Sequence, residues 1–356
     1  MTDPVDPPLR RNRPGHGRMT MGDVAAVAQV TKITISRYLR QPHRVAPATA
    51  ERIRAALVAT GYMPNKQAGL LASGRSNIVA ALIPNLSHSI FGETLQALSE
   101  GLQAAGLELL LASTGYSPER EEEQLRALLG WAPSALVVTG RHHSAGALRL
   151  LAAAHAGGTP VLEVWDHHPE EPMQFAQIGF DHGAVGRAMA THLIDAGHRQ
   201  LAYLDSGVDT DFRAHERGAG FAAEVKRRGG RFQLLRAATG DPFDAGRDAL
   251  IRLRATQRRA LPPSALACAN DHLASGVLME ALARGLVVPQ DLAVLGFGDF
   301  PVGRQLQPAL STVRPPSQEI GQAAAQALVR SLSSGQAPTG LALPWELIAR
   351  GSTETH

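Results

Sequence analysis

Residues 23–76 read DVAAVAQVTKITISRYLRQPHRVAPATAERIRAALVATGYMPNKQAGLLASGRS. Their pattern of apolar, capping and turn residues predicts the helices of the N-terminal part of the chain. Apolar residues at 24–28 predict a short helix, which a turn at Gln29 and Val30 separates from a second helix ending near Leu39. Thr31 is a suitable N-cap for that helix, because its hydroxyl can accept an orphan amide hydrogen of the first turn. Another apolar stripe predicts a third helix over 48–60, ended by Gly61. The pattern predicts a helix-turn-helix within a three-helix bundle.

The second predicted helix has two unlike faces. Ile35 and Leu39 lie four residues apart, so both can bury against the first helix. On the opposite face, Arg and Lys can bind guanine O6 and N7 in a major groove, and an apolar side chain can contact a thymine methyl. The predicted DNA-contacting residues of this segment are Thr31, Lys32, Ile33, Thr34, Ser36 and Arg37. The pattern alone also fits a small helical bundle with no role in DNA binding.

Charge is unevenly divided along the 356 residues. The net charge is +3, yet residues 1–76 hold twelve Lys and Arg against four Asp and Glu, so the remainder is net acidic. A compact basic segment on an acidic body is typical of nucleic-acid binding, because phosphate neutralisation supplies most of the non-specific affinity. Basic tails are also often merely solvated, so charge supports DNA binding without establishing it.

The composition, 44% apolar and 19% charged, indicates a globular chain of two or three domains. Its longest apolar run, residues 78–84, is far shorter than the ~18 residues of a membrane span. Residues 1–18 are rich in Arg and Pro and lack the apolar stretch of a secretory signal. We therefore expect a disordered basic arm at 1–18 and a cytoplasmic protein with no membrane partner. Cys268, the one cysteine, is expected to be a small buried side chain.

From Ile78 onward, apolar runs alternate with amphipathic stretches, which predicts parallel sheets covered by helices. The units are too many for one layer, so the predicted fold class is α/β, with two doubly wound lobes and a ligand cleft at the carboxyl ends of the strands. Predicted strands are 78–83, 108–112, 135–139, 161–164, 201–204, 266–268 and 293–296, and predicted helices are 91–105, 119–129, 184–196, 215–228 and 272–284.

Residues 23–76 closely resemble, in order and over their whole length, the DNA-binding head of the LacI/GalR family of bacterial transcription repressors. The resemblance implies that Lys32, Ile33 and Arg37 read bases. It also implies a body similar to a periplasmic sugar-binding protein, which agrees with the two lobes predicted from the strand pattern.

The resemblance further implies a hinge helix that folds only on the operator. Leu71 falls at the family's minor-groove lever, with Ala68 one turn earlier, and Asn65 is a further expected DNA contact. Such a wedge unstacks a base step and bends the DNA toward the protein. The expected domains are the arm at 1–18, the helix-turn-helix head at 19–64, the hinge helix and linker at 65–76, and an effector-binding and dimerisation domain at 77–356, with lobe 1 at about 78–179 and 315–338 and lobe 2 at about 180–314 and 339–356.

The resemblance also implies effector contacts in the body. Phe91 matches a pocket position, Arg217 an effector-binding arginine, and Asn270 an asparagine that contacts effector. Arg213 lies one helical turn before Arg217, and such a pair suits a carboxylate or phosphate, although a solvated surface pair is the alternative. The complete set of predicted effector contacts is Phe91, Tyr116, Glu163, Asp166, Arg213, Arg217, Asn270 and Asp299.

Some body segments depart from the sugar-binding members of the family. The usual carboxylate is either missing or displaced by one residue, to Asp299, and Glu163, Trp165 and Asp166 replace the residues expected near a sugar contact. The segments VTKITISRYLR, TPVLEVWD and IGFDHGAVGRAM are most similar to the gluconate-utilisation repressors. This resemblance implies a homodimer that a sugar acid such as gluconate, a keto-gluconate or a phosphorylated form releases from a pseudopalindromic operator. A regulator that responds to a neutral sugar is the alternative.

Common catalytic and metal-binding motifs do not occur in the sequence. It contains no G-x-S-x-G, P-loop, H-E-x-x-H or paired C-x-x-C motif. The histidine pairs at 142–143 and 167–168 suggest a metal, but adjacent residues of a strand point to opposite faces. We therefore expect no enzymatic activity, no cofactor and no metal site. A sugar-binding or sugar-processing protein on the same two-lobed fold is the alternative, since fold does not determine function.

Overall fold

The computed structural model describes residues 19–63, 76–87, 90–168, 173–256 and 263–354. The chain divides into two compact units, residues 1–74 and 75–356. The arm predicted at 1–18 and the hinge contacts predicted at Asn65, Ala68 and Leu71 lie outside the described residues.

The first unit is a small helical bundle. Its elements are α1 Met21–Ala28, α2 Lys32–Arg40, the 3-10 turn Pro42–Arg44 and α3 Pro47–Thr60. Thr20 and Asp23 form a capping box at the start of α1. Thr31 Oγ1 accepts the amide hydrogen of Thr34 at 3.2 Å, which confirms the predicted N-cap of α2. Gly61 ends α3 in left-handed backbone, at φ 60°. The fully buried side chains between the helices are Val24, Ile35 and Ile53.

The second unit alternates strands with helices. In chain order its elements are β1 Ile78–Ile83, α4 Gly92–Ala104, β2 Glu108–Ser113, α5 Pro118–Leu129, β3 Ala135–Thr139, α6 Ala145–Ala156, β4 Val161–Asp166, β5 Ala176–Phe180, α7 His182–Asp195, β6 Gln200–Asp205, α8 Phe212–Arg227, β7 Arg231–Arg236, α9 Pro242–Thr256, β8 Ala265–Cys268, α10 Asp271–Ala283, β9 Ala293–Phe297, α11 Pro301–Gln305, β10 Ser311–Arg314, α12 Ser317–Ser334, β11 Leu341–Ala342 and β12 Glu346–Ile348.

Within the described residues the strands form two six-stranded sheets, which define the two lobes. The lobe 1 sheet has the order β11-β5-β4-β3-β1-β2, and the lobe 2 sheet has the order β12-β10-β9-β8-β6-β7. The strand pairs are parallel except that β10 and β12 are antiparallel. Central strands such as β1 are continuous apolar runs because helices cover both faces of a parallel sheet.

In the part of the chain that the structure describes, the backbone crosses between the lobes three times. The first two crossings follow β5 and β10, and α12 returns to lobe 1, where Thr94 Oγ1 of α4 donates to the Ser317 carbonyl at 2.7 Å. The third was predicted at 338–339, and this position is wrong by a few residues. Leu341 pairs with Ile178, so β11 extends the lobe 1 sheet and the crossing follows Ala342. A two-residue edge strand has too short a pattern to predict.

Both sheets change winding direction at one strand. In lobe 1 the strands β2 and β3 lie on opposite sides of β1, and in lobe 2 the strands β7 and β8 lie on opposite sides of β6. Loops leaving such neighbouring strands diverge to opposite faces and leave a crevice at their carboxyl ends, where open α/β sheets bind ligands. The fold therefore places a candidate site between the strand ends of the two lobes.

Candidate functional site

The exposed face of α2 carries the base-reading residues predicted from sequence. Ile33 is 71% exposed although it is aliphatic, and Lys32 and Arg37 are exposed beside it. An exposed aliphatic side chain between two cations suits a thymine methyl flanked by guanines or phosphates. Ser36 is half-buried on the same face and lines the same shallow surface.

Thr31 and Thr34 have a structural part in this surface. Their hydroxyl groups lie 2.9 Å apart and hydrogen-bond each other, in addition to the cap on α2. The two threonines therefore fix where α2 begins, and with it the position of the exposed side chains on its first turns.

A pocket of about 80 Å³ opens between the lobes and is called the inter-lobe pocket below. It brings together five of the eight predicted effector contacts, which are Phe91, Tyr116, Arg213, Arg217 and Asn270. Both arginines come from α8, while Asn270 caps α10 by accepting the Leu273 amide hydrogen at 3.0 Å. Trp165, His182 and Phe297 complete much of the wall.

Arg217 is fixed by three neighbours. Its guanidinium donates to Ala269 O at 2.9 Å and to His182 Nδ1 at 3.0 Å, and its Cζ lies 3.9 Å from the centroid of the Phe297 ring. Because Nδ1 of His182 accepts from a cation, its proton must lie on Nε2, which is 2.9 Å from the Trp165 carbonyl. Burial lowers the pKa of His182 and keeps this ring neutral.

Arg213 reaches from lobe 2 to lobe 1. Its Nη1 lies 3.5 Å from the Thr139 carbonyl, and its Cζ lies 5.5 Å from the centroid of the Phe91 ring. Its charge also interacts with the Tyr116 hydroxyl group. Since Phe91, Tyr116 and Thr139 belong to lobe 1, Arg213 connects the pocket to the relative position of the lobes.

Asp166 lies behind the pocket wall and is fully buried. Its Oδ2 accepts the Arg141 amide hydrogen at 2.9 Å, and its Oδ1 is 3.4 Å from His182 Nε2. Burial opposes ionisation, but the contact with His182 and the charge of Arg213 together lower the pKa of Asp166. Asp166 is therefore a buried counter-charge to Arg213.

A cluster outside the pocket also bridges the lobes, and we call Glu216 with Arg141, His142 and His168 the latch. Glu216, on α8 of lobe 2, has one carboxylate oxygen 2.7 Å from Arg141 Nη2 and 2.9 Å from His142 Nε2. Its other oxygen is 3.5 Å from His168 Nε2. Burial raises the pKa of Glu216, but the contacts with His142 and Arg141 outweigh burial and lower it. The three basic side chains come directly after β3 and β4 of lobe 1.

Two predicted effector contacts are placed elsewhere by the structure. Asp299 does not line the inter-lobe pocket, because its carboxylate accepts from Arg350 at 2.6 Å and from Arg304 and Arg314 at 2.7 Å each. Glu163 does not line it either, because it lies in mid-strand opposite Gln177, whose side chain donates to it at 2.7 Å. Both carboxylates are satisfied by protein partners.

Sequence reasoning missed His182 and the latch. His182 is the first residue of α7, which follows β5 closely. Because β5 was not predicted, the sequence did not show that His182 lies just beyond the end of a strand. His142 and His168 were considered only as metal ligands, and their partner Glu216 lies far along the chain.

No group of three or more His, Cys, Asp or Glu in the described part of the chain is arranged to hold a metal ion. Nor does any helix described there have the length and apolar character of a membrane span.

A helix-turn-helix unit with an exposed reading face, followed by a two-lobed unit with a charged cleft, defines a DNA-binding regulator that senses a small molecule. Two family models match the chain: bacterial regulatory proteins of the lacI family over residues 20–65, and a periplasmic binding protein-like domain over residues 190–353. The chain belongs to the LacI family of bacterial transcriptional regulators, which confirms the family and the fold class predicted from the sequence.

Individual relatives match the chain over almost its full length. It is 36% identical to the HTH-type transcriptional regulator GntR of Pseudomonas aeruginosa, with 95% of this chain and 96% of that protein covered. It is 33% identical to the GntR regulator of Escherichia coli, with 94% and 98% covered. A solved LacI family regulator from Silicibacter pomeroyi superimposes with a TM-score of 0.84 at 31% identity, covering 95% of this chain and 100% of that one.

Proposed function

We propose that this chain is a homodimeric repressor of sugar-acid catabolism, which leaves its operator when a sugar acid enters the inter-lobe pocket. The observation that carries the proposal is the pair of buried arginines, Arg213 and Arg217, on one face of α8. Asp166 and the partly exposed Asp211 at the pocket rim both offset the charge of Arg213, whereas no ion pair among the described residues includes Arg217. A ligand carboxylate would supply the missing negative charge and accept charge-assisted hydrogen bonds.

The similarity to regulators named GntR supports the same proposal, because two of them match this chain at 36% and 33% identity over 95% and 94% of its length. Two heads of a homodimer would bind two half-sites of a pseudopalindromic operator, with Lys32, Ile33 and Arg37 reading base edges. Leu71 would enter the minor groove as a wedge. Such a protein acts in the cytoplasm, where the operator lies.

The effector acts on operator affinity through the body. It can lower that affinity only in so far as it binds the operator-free state more tightly than the bound state. Arg213 supports this coupling, since it touches both the pocket and three residues of lobe 1. The proposal includes no catalytic step and no cofactor, in keeping with relatives that are named as transcriptional regulators.

The direct test is a calorimetric titration of the full chain combined with retardation of its own upstream DNA. D-gluconate, 2-keto-D-gluconate and 6-phospho-D-gluconate are compared with D-glucose and D-ribose. We expect at least one acid to bind and to release the DNA. Tight binding of a neutral sugar with no binding of any acid would contradict the carboxylate assignment.

A matched pair of variants locates the site. Arg217→Ala is expected to remove the effector response, because it deletes a buried cation that holds His182 and Ala269. The control Arg227→Ala removes an exposed arginine from the same helix and should respond as the wild type does. A normal response of Arg217→Ala would place the effector elsewhere.

A further inference from the structure

A second and larger cavity, of about 400 Å³, adjoins the inter-lobe pocket. We call it the switch-point cavity, because the ends of β1, β2 and β3 and the first turns of α5 and α6 form most of its wall. Tyr116 and Arg213 line both spaces. The two spaces are therefore neighbours that share one arginine.

The position of this cavity is one that the topology favours for a ligand. The lobe 1 sheet has the order 2-1-3-4-5 over its first five strands, and its winding direction reverses between β1 and β3. Open α/β sheets bind ligands at the carboxyl ends of the strands at this point. The cavity lies there, between Ile83 at the end of β1 and Thr139 at the end of β3.

The two cavities also differ in volume. Ligand sites in proteins span about 300–1,000 Å³, so the switch-point cavity at about 400 Å³ lies within this range, whereas the inter-lobe pocket at about 80 Å³ lies below it. The inter-lobe pocket can hold a carboxylate group beside its arginines. The rest of a six-carbon acid needs more room.

The cavity wall is rich in hydroxyl groups. Thr114, Ser117 and Ser144 line it, and Ser117 and Ser144 are the N-caps of α5 and α6. These hydroxyls accept one backbone hydrogen each, from Tyr116, Arg120 and Ala147 respectively, which leaves a second lone pair on each oxygen. Such groups suit the hydroxyls of a polyol.

The charged groups of the cavity are paired within the protein. His143 Nδ1 lies 2.6 Å from Glu121 Oε1, and its Nε2 lies 3.4 Å from Glu163 Oε1. Although burial favours the neutral ring, the two carboxylates raise the pKa of His143 to about 9. Glu121 also accepts the Ser144 amide hydrogen at 3.0 Å. Arg141 is bound to Glu216 in the latch. Arg213, whose charge Asp166 and Asp211 offset from behind, is the cation at the border.

We propose that the switch-point cavity holds the hydroxylated carbon chain of the effector, while Arg213 binds its carboxylate at the border with the inter-lobe pocket. Glu121 is then a specificity-determining residue, because a carboxylate oxygen can accept a ligand hydroxyl in addition to its protein donors. This inference rests on the sugar-acid function proposed for the same body. It adds where the chain of the acid lies and which residues recognise it.

The test uses a substitution that is expected to fill the cavity while leaving Arg213 and Arg217 unchanged. Leu148 and its neighbour Arg149 on α6 are both exposed, but only Leu148, at 37% exposure, lines the cavity. Leu148→Trp and the control Arg149→Trp add the same side chain one residue apart. Calorimetry with D-gluconate, or with whichever six-carbon acid of the panel binds the wild type, should give about a tenfold or greater loss of affinity for Leu148→Trp and less than about a threefold loss for the control.

A second variant covers the case in which Leu148→Trp does not fold, as judged by its thermal melting curve. Glu121→Gln keeps the shape of the side chain and is expected to weaken binding of the same acid by about tenfold. Unchanged affinity in the folded cavity variants would overturn the cavity assignment and leave the sugar-acid function standing. If no six-carbon acid binds the wild type, the proposed function fails and the inference fails with it.

Discussion

Arg37 and Arg54 are exposed arginines of the same small unit, but they lie on different helices. Arg37 is on the reading face of α2 with Ile33, whereas Arg54 is on α3 and pairs with Glu51. We expect Arg37→Ala to relax base preference at one position of each half-site at a cost of about 1–3 kcal/mol, because a bidentate contact to guanine is lost. Competition binding with single-base operator variants measures this.

Arg54→Ala is the matched control for that prediction. It removes the same charge and should leave the ranking of operator variants as it is in the wild type. An unchanged ranking for Arg37→Ala would show that α2 does not present Arg37 to the bases.

His143 makes stability depend on pH. Its folded-state pKa of about 9 is raised above the unfolded value of 6.5 by contacts with Glu121 and Glu163, which outweigh burial. The stabilisation is fully present below pH 6.5 and is lost as the pH rises through 9, by up to about 3 kcal/mol in the free energy of unfolding. Urea denaturation at pH 6.5 and pH 9.5 measures the loss, and His143→Gln should show a smaller one. An equal loss in both proteins would assign the effect to other groups.

At the scale of single residues, the predictable site residues were those that come directly after a strand or open a helix. Asn270 could be placed because it lies just beyond a strong apolar strand. Asp299 is also close to a strand end, but its partners Arg304, Arg314 and Arg350 come from three separate segments. Nothing in the local sequence shows that these arginines converge on it. The effector contacts as a set stay a prediction.

Among the elements, helix α8 contributes residues to two sites, because Arg213 and Arg217 line the inter-lobe pocket and Glu216 belongs to the latch. We expect Glu216→Gln to weaken effector binding by about tenfold, because the latch stabilises the approach of the lobes that encloses the ligand. Isothermal titration with the six-carbon acid that binds the wild type measures this. The control is Glu224→Gln on the same helix, whose carboxylate pairs with Arg227 within lobe 2.

Equal affinities of Glu216→Gln and the wild type would show that the latch does not contribute to closure. A loss that also occurs in Glu224→Gln would point to the stability of α8 instead.

Several elements with a continuous apolar run or a clear helical period were predicted to within a few residues, as at β1, β3 and α10, whereas helices α6, α9 and α12 were not predicted. The edge strand β2 was predicted, but the edge strands β7, β11 and β12 were not. β7 Arg231–Arg236, with the sequence RFQLLR, lies on a largely exposed sheet edge and lacks a continuous apolar run, and β11 has two residues. Their strand state comes from pairing with β6 and β5, which is a tertiary effect that local propensity does not contain.

For the whole molecule, the basic front of the chain makes operator binding sensitive to salt. If the heads of a homodimer neutralise about 6–10 phosphates, operator affinity should fall by about 10³–10⁵ between 50 and 200 mM salt. Filter binding at a series of KCl concentrations gives the slope, and sedimentation should show a particle of twice the 37.7 kDa chain mass. A flat salt dependence would contradict phosphate binding by the basic segment.

The three crossings between lobes 1 and 2 restrict how the body can move. A single covalent connection would leave one lobe free to rotate about it, whereas several connections restrict the relative rotation and translation of the two lobes. We therefore expect closure of the lobes to be a bending motion whose end state varies little from one bound ligand to another.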